Sequence, residues 1–188
     1  EIFSVKNCWG RLTTFYRSTK DAIIYTFNPS NFSSLYLNAA KQTNYGAELE
    51  VKYTAGKVTA TGNYTYTDGK TTASFDGTGT PIGKDTTYFN LYSIPKNAFN
   101  INVGVQTTKA IFYSVALHSV SKREEFIYGA KPEMMKAYFT VDLYGEYKFG
   151  KVVKWFLDLK NITGQQYFYI LGYNSRKFNF TTGVSFQL

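Results

Sequence analysis

The 188 residues carry a formal charge of +8, 44% hydrophobic side chains, 17 tyrosines, 16 phenylalanines and one cysteine. The length suffices for one large domain with a sizeable core. The lone Cys8 excludes an internal disulfide and gives no metal cluster, no run approaches the ~18 apolar residues of a helical membrane span, and the lysines are scattered as on a solvated face rather than striped for nucleic acid.

The chain opens on EIFSVKN without a leader pattern, as a mature protein or the later piece of a longer chain would. Residues 1–6 read as a short entering strand. Alternation then predicts strands over 9–26, 34–54, 57–72, 88–107, 110–127, 137–149, 152–164 and 176–188. Several are at least twice the ~5 to 6 residues of an ordinary strand. Phe99, Ile101, Val103 and Val105 alternate with Asn100, Asn102, Gly104 and Gln106. Phe139, Val141, Leu143, Tyr147 and Phe149 alternate with Thr140, Asp142, Tyr144, Glu146 and Lys148. The chain closes with Phe178, Phe180, Thr182, Val184, Phe186 and Leu188 set against Lys177, Asn179, Thr181, Gly183, Ser185 and Gln187. A soluble sandwich alternates too. A polar face rich in Asn, Thr, Gly and Tyr, with aromatics such as Phe139, Phe149, Trp155 and Phe186 at the ends of the apolar face, suits a lipid-facing band with aromatic girdles.

The joins near Asn7–Cys8, Ala55–Gly56, Thr108–Lys109 and Gly150–Lys151 are tight, and those near 27–33, 73–87, 128–136 and 165–175 are longer. Short turns at one rim and long loops at the other predict an outer-membrane barrel, with a soluble antiparallel barrel or sandwich as the alternative. No linker or repeat divides residues 1–188 into two domains.

EIFSVK at 1–6, RLTTFYRSTKDAIIY at 11–25, TNYGAELEVKY at 43–53, GNYTYTD at 62–68, IPK at 94–96, VDLYGEYKF at 141–149, LKNITGQQYFYILGY at 159–173 and Arg176 together resemble TonB-dependent outer-membrane receptors in order and spacing. Ile162, Thr163 and Gly164 depart from the family's usual Leu-Phe-Asp, and Leu188 stands where an aromatic is commoner. The resemblance implies an all-β fold: an antiparallel transmembrane β-barrel, of which these are the last eight to nine strands of 22. The plug domain and N-terminal strands would lie outside residues 1–188. It implies no enzyme and no cofactor, but part of a Gram-negative outer-membrane transporter importing vitamin B12, haem or a ferric siderophore with TonB-transmitted energy. The alternative is a structural, adhesion or passive-pore barrel. The implied partners are the remaining barrel and plug, in the same gene or a second chain, the TonB complex through the plug, and a small nutrient ligand. Outer-membrane lipid, lipopolysaccharide and a surface lipoprotein complete the set. A periplasmic C-terminus would make the tight turns periplasmic and the long joins extracellular.

On that orientation Tyr88, Tyr128, Tyr169 and Tyr173 are ligand-binding candidates that would stack on a planar or macrocyclic solute, or else belong to the outer aromatic girdle. Arg123 and Lys122 would meet an anionic siderophore or propionate, or lipopolysaccharide phosphates. Glu48, Glu50, Asp142, Glu146 and Asp158 fall on polar faces as lumen-facing candidates. Paired carboxylates invite a glycosidase reading, against which stands a wall of charges facing Lys52, Lys148, Lys154 and Lys160. His118, the single histidine, shares the polar register but offers one ligand, too few for a metal or haem site. The sequons at Asn31, Asn63, Asn161 and Asn179 carry no weight, three of them lying in predicted strands.

Overall fold

The computed structural model describes all residues except 39–40, 77, 89–90, 126–132 and 187–188, with only the backbone described at 87–88. Every regular element among the described residues is a strand. They are β1 (Ile2–Val5), β2 (Cys8–Lys20), β3 (Ile23–Asn28), β4 (Ser33–Asn38), β5 (Lys41–Ala55), β6 (Val58–Phe75), β7 (Pro81–Tyr88) and β8 (Asn97–Gln106). There follow β9 (Ile111–Val120), β10 (Arg123–Glu125), β11 (Glu133–Met135), β12 (Tyr138–Phe149), β13 (Val153–Lys160), β14 (Phe168–Ile170), β15 (Tyr173–Asn174) and β16 (Asn179–Phe186).

A ten-stranded antiparallel sheet runs in the order β1-β2-β5-β6-β8-β9-β12-β13-β16, with β7 paired to the far end of β6. Three small hairpins, β3–β4, β10–β11 and β14–β15, stand outside it. Its end strands, β1 and β16, each pair on one side only among the described residues.

The long connections carry more structure than alternation suggests. The predicted strand 9–26 divides at Asp21, whose φ of 53° turns the chain out of the sheet into β3–β4. The turn of that hairpin is braced by Asn28 Oδ1 accepting from Ser30 N at 2.9 Å and Asn31 Oδ1 accepting from Ser33 N at 3.0 Å. The predicted loop 73–87 is largely strand, since β6 continues to Phe75 and β7 folds back on it. The predicted strand 88–107 starts only at Asn97, because Ser93 has φ 63° and Pro95 lacks an N–H for a ladder. The predicted strand 110–127 leaves the sheet after Val120, and 152–164 ends before Asn161, where φ is 50°.

Register shows two faces. Arg11, Glu50, Asn63, Asn100, His118 and Thr140 are successive cross-strand partners on the polar one. On the other, Cys8, Tyr53, Ala60, Val103, Val115, Leu143, Leu159 and Phe180 form one hydrogen-bonded row. This second face is apolar and open, with Val103 38%, Val184 53% and Phe180 63% exposed. Tyr53, Tyr113, Tyr147 and Trp155 lie on it toward the tight turns, and Tyr16, Tyr45, Phe139 and Phe180 toward the hairpins. The buried apolar residues Ala73, Phe75, Leu91, Val120, Met135 and Tyr138 all sit at the hairpin end.

Two glycines on the polar face are required by close approach. A Cβ at Gly46 would lie 2.1 Å from the Tyr66 carbonyl oxygen and 2.6 Å from the Phe15 ring, and one at Gly183 would meet the Phe156 ring at 2.8 Å. In both pairs an aromatic ring covers the glycine directly opposite it in register.

Candidate functional site

The polar face carries several hydrogen-bonded clusters. Arg11 Nη2 donates to Glu50 Oε1 at 3.0 Å, Asn100 Nδ2 donates to Asn63 Oδ1 at 2.8 Å, and His118 Nδ1 closes on Asn100 Oδ1. Further along, Lys160 Nζ lies 3.1 Å from Asp142 and 3.3 Å from Asp158, and Lys154 Nζ lies 3.2 Å from Glu146. Tyr144 donates to the same oxygen that Lys154 meets, Glu146 Oε2, at 2.9 Å. Glu48 is exposed on the same face, opposite Thr13 and Thr65.

Asp142, Glu146 and Asp158 therefore face lysines rather than one another, an arrangement for neutralising charge along a wall and not for dividing acid and base roles. Trp9, Glu50, Lys52, Asn63, His118 and Asp142 border a groove of about 450 Å³ across six strands. No group of three or more metal-binding side chains occurs among the described residues, and the contacts of His118 are Asn100 and the Tyr138 ring 6.0 Å away.

At the hairpin end, Tyr169 and Tyr173 are 70% and 72% exposed on β14 and β15. The backbone of Tyr88 pairs with Thr71, and Tyr128 lies outside the described residues. Lys122 is exposed, whereas its neighbour Arg123 is buried. Arg123 Nη2 donates to the carbonyls of Phe168 at 3.1 Å and Tyr169 at 2.8 Å, and its Nε donates to Glu125 Oε1 at 3.3 Å. Glu125 Oε2 in turn accepts from Ser93 Oγ at 2.6 Å, and Ser93 N donates to the Glu124 carbonyl at 2.8 Å. Arg123 thus binds protein acceptors, tying β10 to β14 and to the segment ahead of β8.

Three features here went unread in the sequence. Tyr138 stacks on Tyr167 with ring centroids 4.1 Å apart. Asn161, buried, donates from Nδ2 to the carbonyls of Gln165 and Arg176 and accepts from Gln165 N at 3.0 Å, closing the start of the last connection. Its place within LKNITGQQY was the available signal. The third is an apolar cavity of about 360 Å³ where β3 folds against the end of β6, lined by Ile24, Thr71, Ala73, Phe75, Leu91 and Ile94 among others.

Electrostatics at this end are local. Lys96 Nζ donates to Asp68 Oδ2 at 2.9 Å, and that bond raises the Lys96 pKa above its ordinary value. The Asp76 carboxyl is held below the usual carboxylate range, chiefly by the Thr78 hydroxyl at 2.6 Å and also by the Thr78 and Thr80 amides, against an opposing contribution from burial.

Residues 3–162 match the family model described as TonB dependent receptor-like, beta-barrel. Among solved structures, the copper transporter OprC superimposes with a TM-score of 0.76 at 14% identity, over 98% of this chain and 29% of that one. The siderophore receptor PiuA from Acinetobacter baumannii gives 0.75 at 17% identity, over 98% and 26%. The FrpB iron transporter from Neisseria meningitidis gives 0.74 at 15% identity, over 98% and 30%. The chain thus spans less than a third of the length of each of these structures, and at such identities the likeness is one of fold. No curated protein matches the chain.

Proposed function

The chain belongs to the TonB dependent receptor-like β-barrel family, a non-catalytic one, and from that premise we propose that it forms the C-terminal wall of an outer-membrane transporter that binds a scarce metal chelate and imports it with TonB-transmitted energy. The observation that carries the reading is the open apolar face. A face that runs from Tyr53 to Phe180, with side chains such as Val184 53% exposed, is far larger than the apolar patches soluble monomers leave in water. Hydrocarbon is the solvent that suits it, and aromatic residues toward both ends of the strands match the two interfaces.

The open edges of β1 and β16 extend the argument. In hydrocarbon each unpaired backbone group costs several kcal/mol, which further strands remove by closing the wall. The proposed whole is a 22-stranded barrel around a plug, the missing strands and plug coming from the same gene or a second chain. With the C-terminus periplasmic, the turns at 56–57, 107–110 and 150–152 face the periplasm and the hairpins face outward. The polar wall then lines the lumen and meets the plug, through which TonB acts. Tyr169 and Tyr173 remain the ligand-facing candidates, with vitamin B12, haem or a ferric siderophore as the solute. The similar structures are those of a copper transporter, a siderophore receptor and an iron transporter, which supports a metal chelate.

Uptake of radio-iron as ferric siderophores and haem, and of radiolabelled cobalamin, by Gram-negative cells expressing the full-length receptor tests this. Accumulation of one of them that disappears when TonB is deleted is the expected result. Flux independent of TonB, or none, would leave the passive-pore or structural reading in its place.

A further inference from the structure

The cavity between β3 and the end of β6 is lined mainly by apolar side chains. Its floor is the buried pair Ala73 and Phe75, with Ala22, Ile24 and Leu37 packed against them. One wall is Leu91 and Ile94, held by the segment whose Ser93 is bonded to Glu124 and Glu125. Among the described lining residues there is no lysine, arginine or histidine, and the one carboxylate, Asp76, accepts at Oδ1 from three donors of its own turn. A carboxylate-rich or catecholate ligand would find no countercharge there.

Two lining side chains complete the chemistry. Gln42 and Thr71 are register partners on the polar face, and neither makes a side-chain hydrogen bond among the described residues. An amide donor and acceptor beside a hydroxyl, set at the edge of an apolar hollow, matches a neutral amide linking to a hydrocarbon group. About 360 Å³ accommodates a short acyl chain or one aromatic ring.

We propose that this cavity is a binding site for an amide-linked acyl or aryl arm, with the apolar arm against Ala73, Phe75 and Leu91 and the amide between Gln42 and Thr71. The inference rests on the transporter reading only for taking that arm to be part of the imported solute. It makes the arm a specificity element separate from the metal-chelating head, since an unarmed chelate leaves the cavity without an occupant.

The test uses the full-length receptor in nanodiscs and, as probe, N-octanoyl glycinamide tipped with a trifluoromethyl group, followed by fluorine NMR and corrected with empty discs. Wild type should bind saturably. Thr71→Trp, which fills the cavity, should weaken binding about tenfold or more, as should Ile94→Asp, which puts a charge on a wall residue that is 42% exposed and so tolerant of change. Saturable binding with loss in at least one variant supports the site. No saturable binding above empty discs, or binding unchanged in both variants, overturns it. The transporter reading fails on a different measurement, TonB-independent or absent uptake, whatever the probe does.

Discussion

Arg123 on β10 donates to the carbonyl oxygen of Tyr169 on β14 at 2.8 Å, a bond between residues 46 positions apart that joins two of the strand pairs outside the main sheet. Its side chain is only 4% exposed and Glu125, its ion partner, 13%. Removing one member of a buried pair strands the other, at roughly 3–5 kcal/mol. Arg123→Ala in the full-length receptor should therefore free the β14–β15 hairpin locally, seen as lost hydrogen-exchange protection over 168–174. Arg123→Lys, with a single nitrogen for three acceptors, should fall between. Unchanged protection in the alanine variant would mean that the hairpin is held by other contacts.

The two faces can be told apart by charge. Val184 lies on the apolar face and Ser185 on the polar one. An arginine on a lipid face near midplane costs about 2–4 kcal/mol, so Val184→Arg should impair folding into bilayers far more than Ser185→Arg. Refolding yield judged by heat-modifiable gel migration reads the difference, and a reversed ranking would contradict the assignment of faces.

Gly46 and Gly145 offer a matched pair. The added methyl of Gly46→Ala would lie 2.1 Å from a backbone oxygen, while nothing lies within 4 Å of the same atom at Gly145. Overpacking of this kind costs about 1–3 kcal/mol. Denaturant midpoints of the full-length receptor should fall for Gly46→Ala and stay put for Gly145→Ala; equal effects would argue against the close approach of β5 and β6.

The proposed orientation puts the hairpins on the outer side of the membrane and the tight turns on the periplasmic side. In a Cys8→Ser background, cysteines at Ser30 and Glu133 should react with a membrane-impermeant thiol reagent on whole cells. One at Lys109 should react only after the outer membrane is breached. Similar labelling at all three sites would remove the proposed topology.

The turn joining β6 to β7 should respond to acid. Asp76 has a folded pKa below its unfolded value of about 3.9. Its contribution is therefore fully present above that unfolded value and is lost as pH falls through the lower folded one. Protease cleavage near residues 76–80 should rise below about pH 4, and Asp76→Asn should flatten that dependence. A wild-type profile flat down to pH 2 to 3 would show that the carboxylate does not hold the turn.

Much of the wall was legible because period two is a direct consequence of the pleat. Phe99 to Val105, Phe139 to Phe149 and Phe180 to Phe186 announce their faces, and Asp142, Glu146 and Asp158 follow on the polar side. The strand pairs outside the sheet were not legible, since alternation runs on through Ile23–Asn28 and Arg123–Glu125, and at Asp21 and Asn161 the chain departs through a left-handed φ chosen by context. Arg123 looked like an anion binder by type; only its encounter with carbonyls from a distant hairpin buries it. The cavity was equally hidden, because Ile24, Ala73 and Leu91 come from separate segments with no shared pattern.

The row that begins at Cys8, beside a tight turn, ends at Phe180, near the start of the last strand and so beside the opposite rim. Tyr53, Tyr113, Tyr147 and Trp155 each stand three positions from a turn residue, Gly56, Ala110, Gly150 and Val152 respectively. Yet Tyr113 is paired across the ladder with Gly145, two positions further from its own turn than Tyr147. The wall is a staircase whose treads are the hydrogen-bonded rows, and its strands lean. A level ring of aromatics is consequently set by counting from the turns and not by partnering across the ladder. The same slope leaves the edge of β16 vertically offset from that of β1 among the described residues, so any strands that closed the wall would have to climb in the same sense.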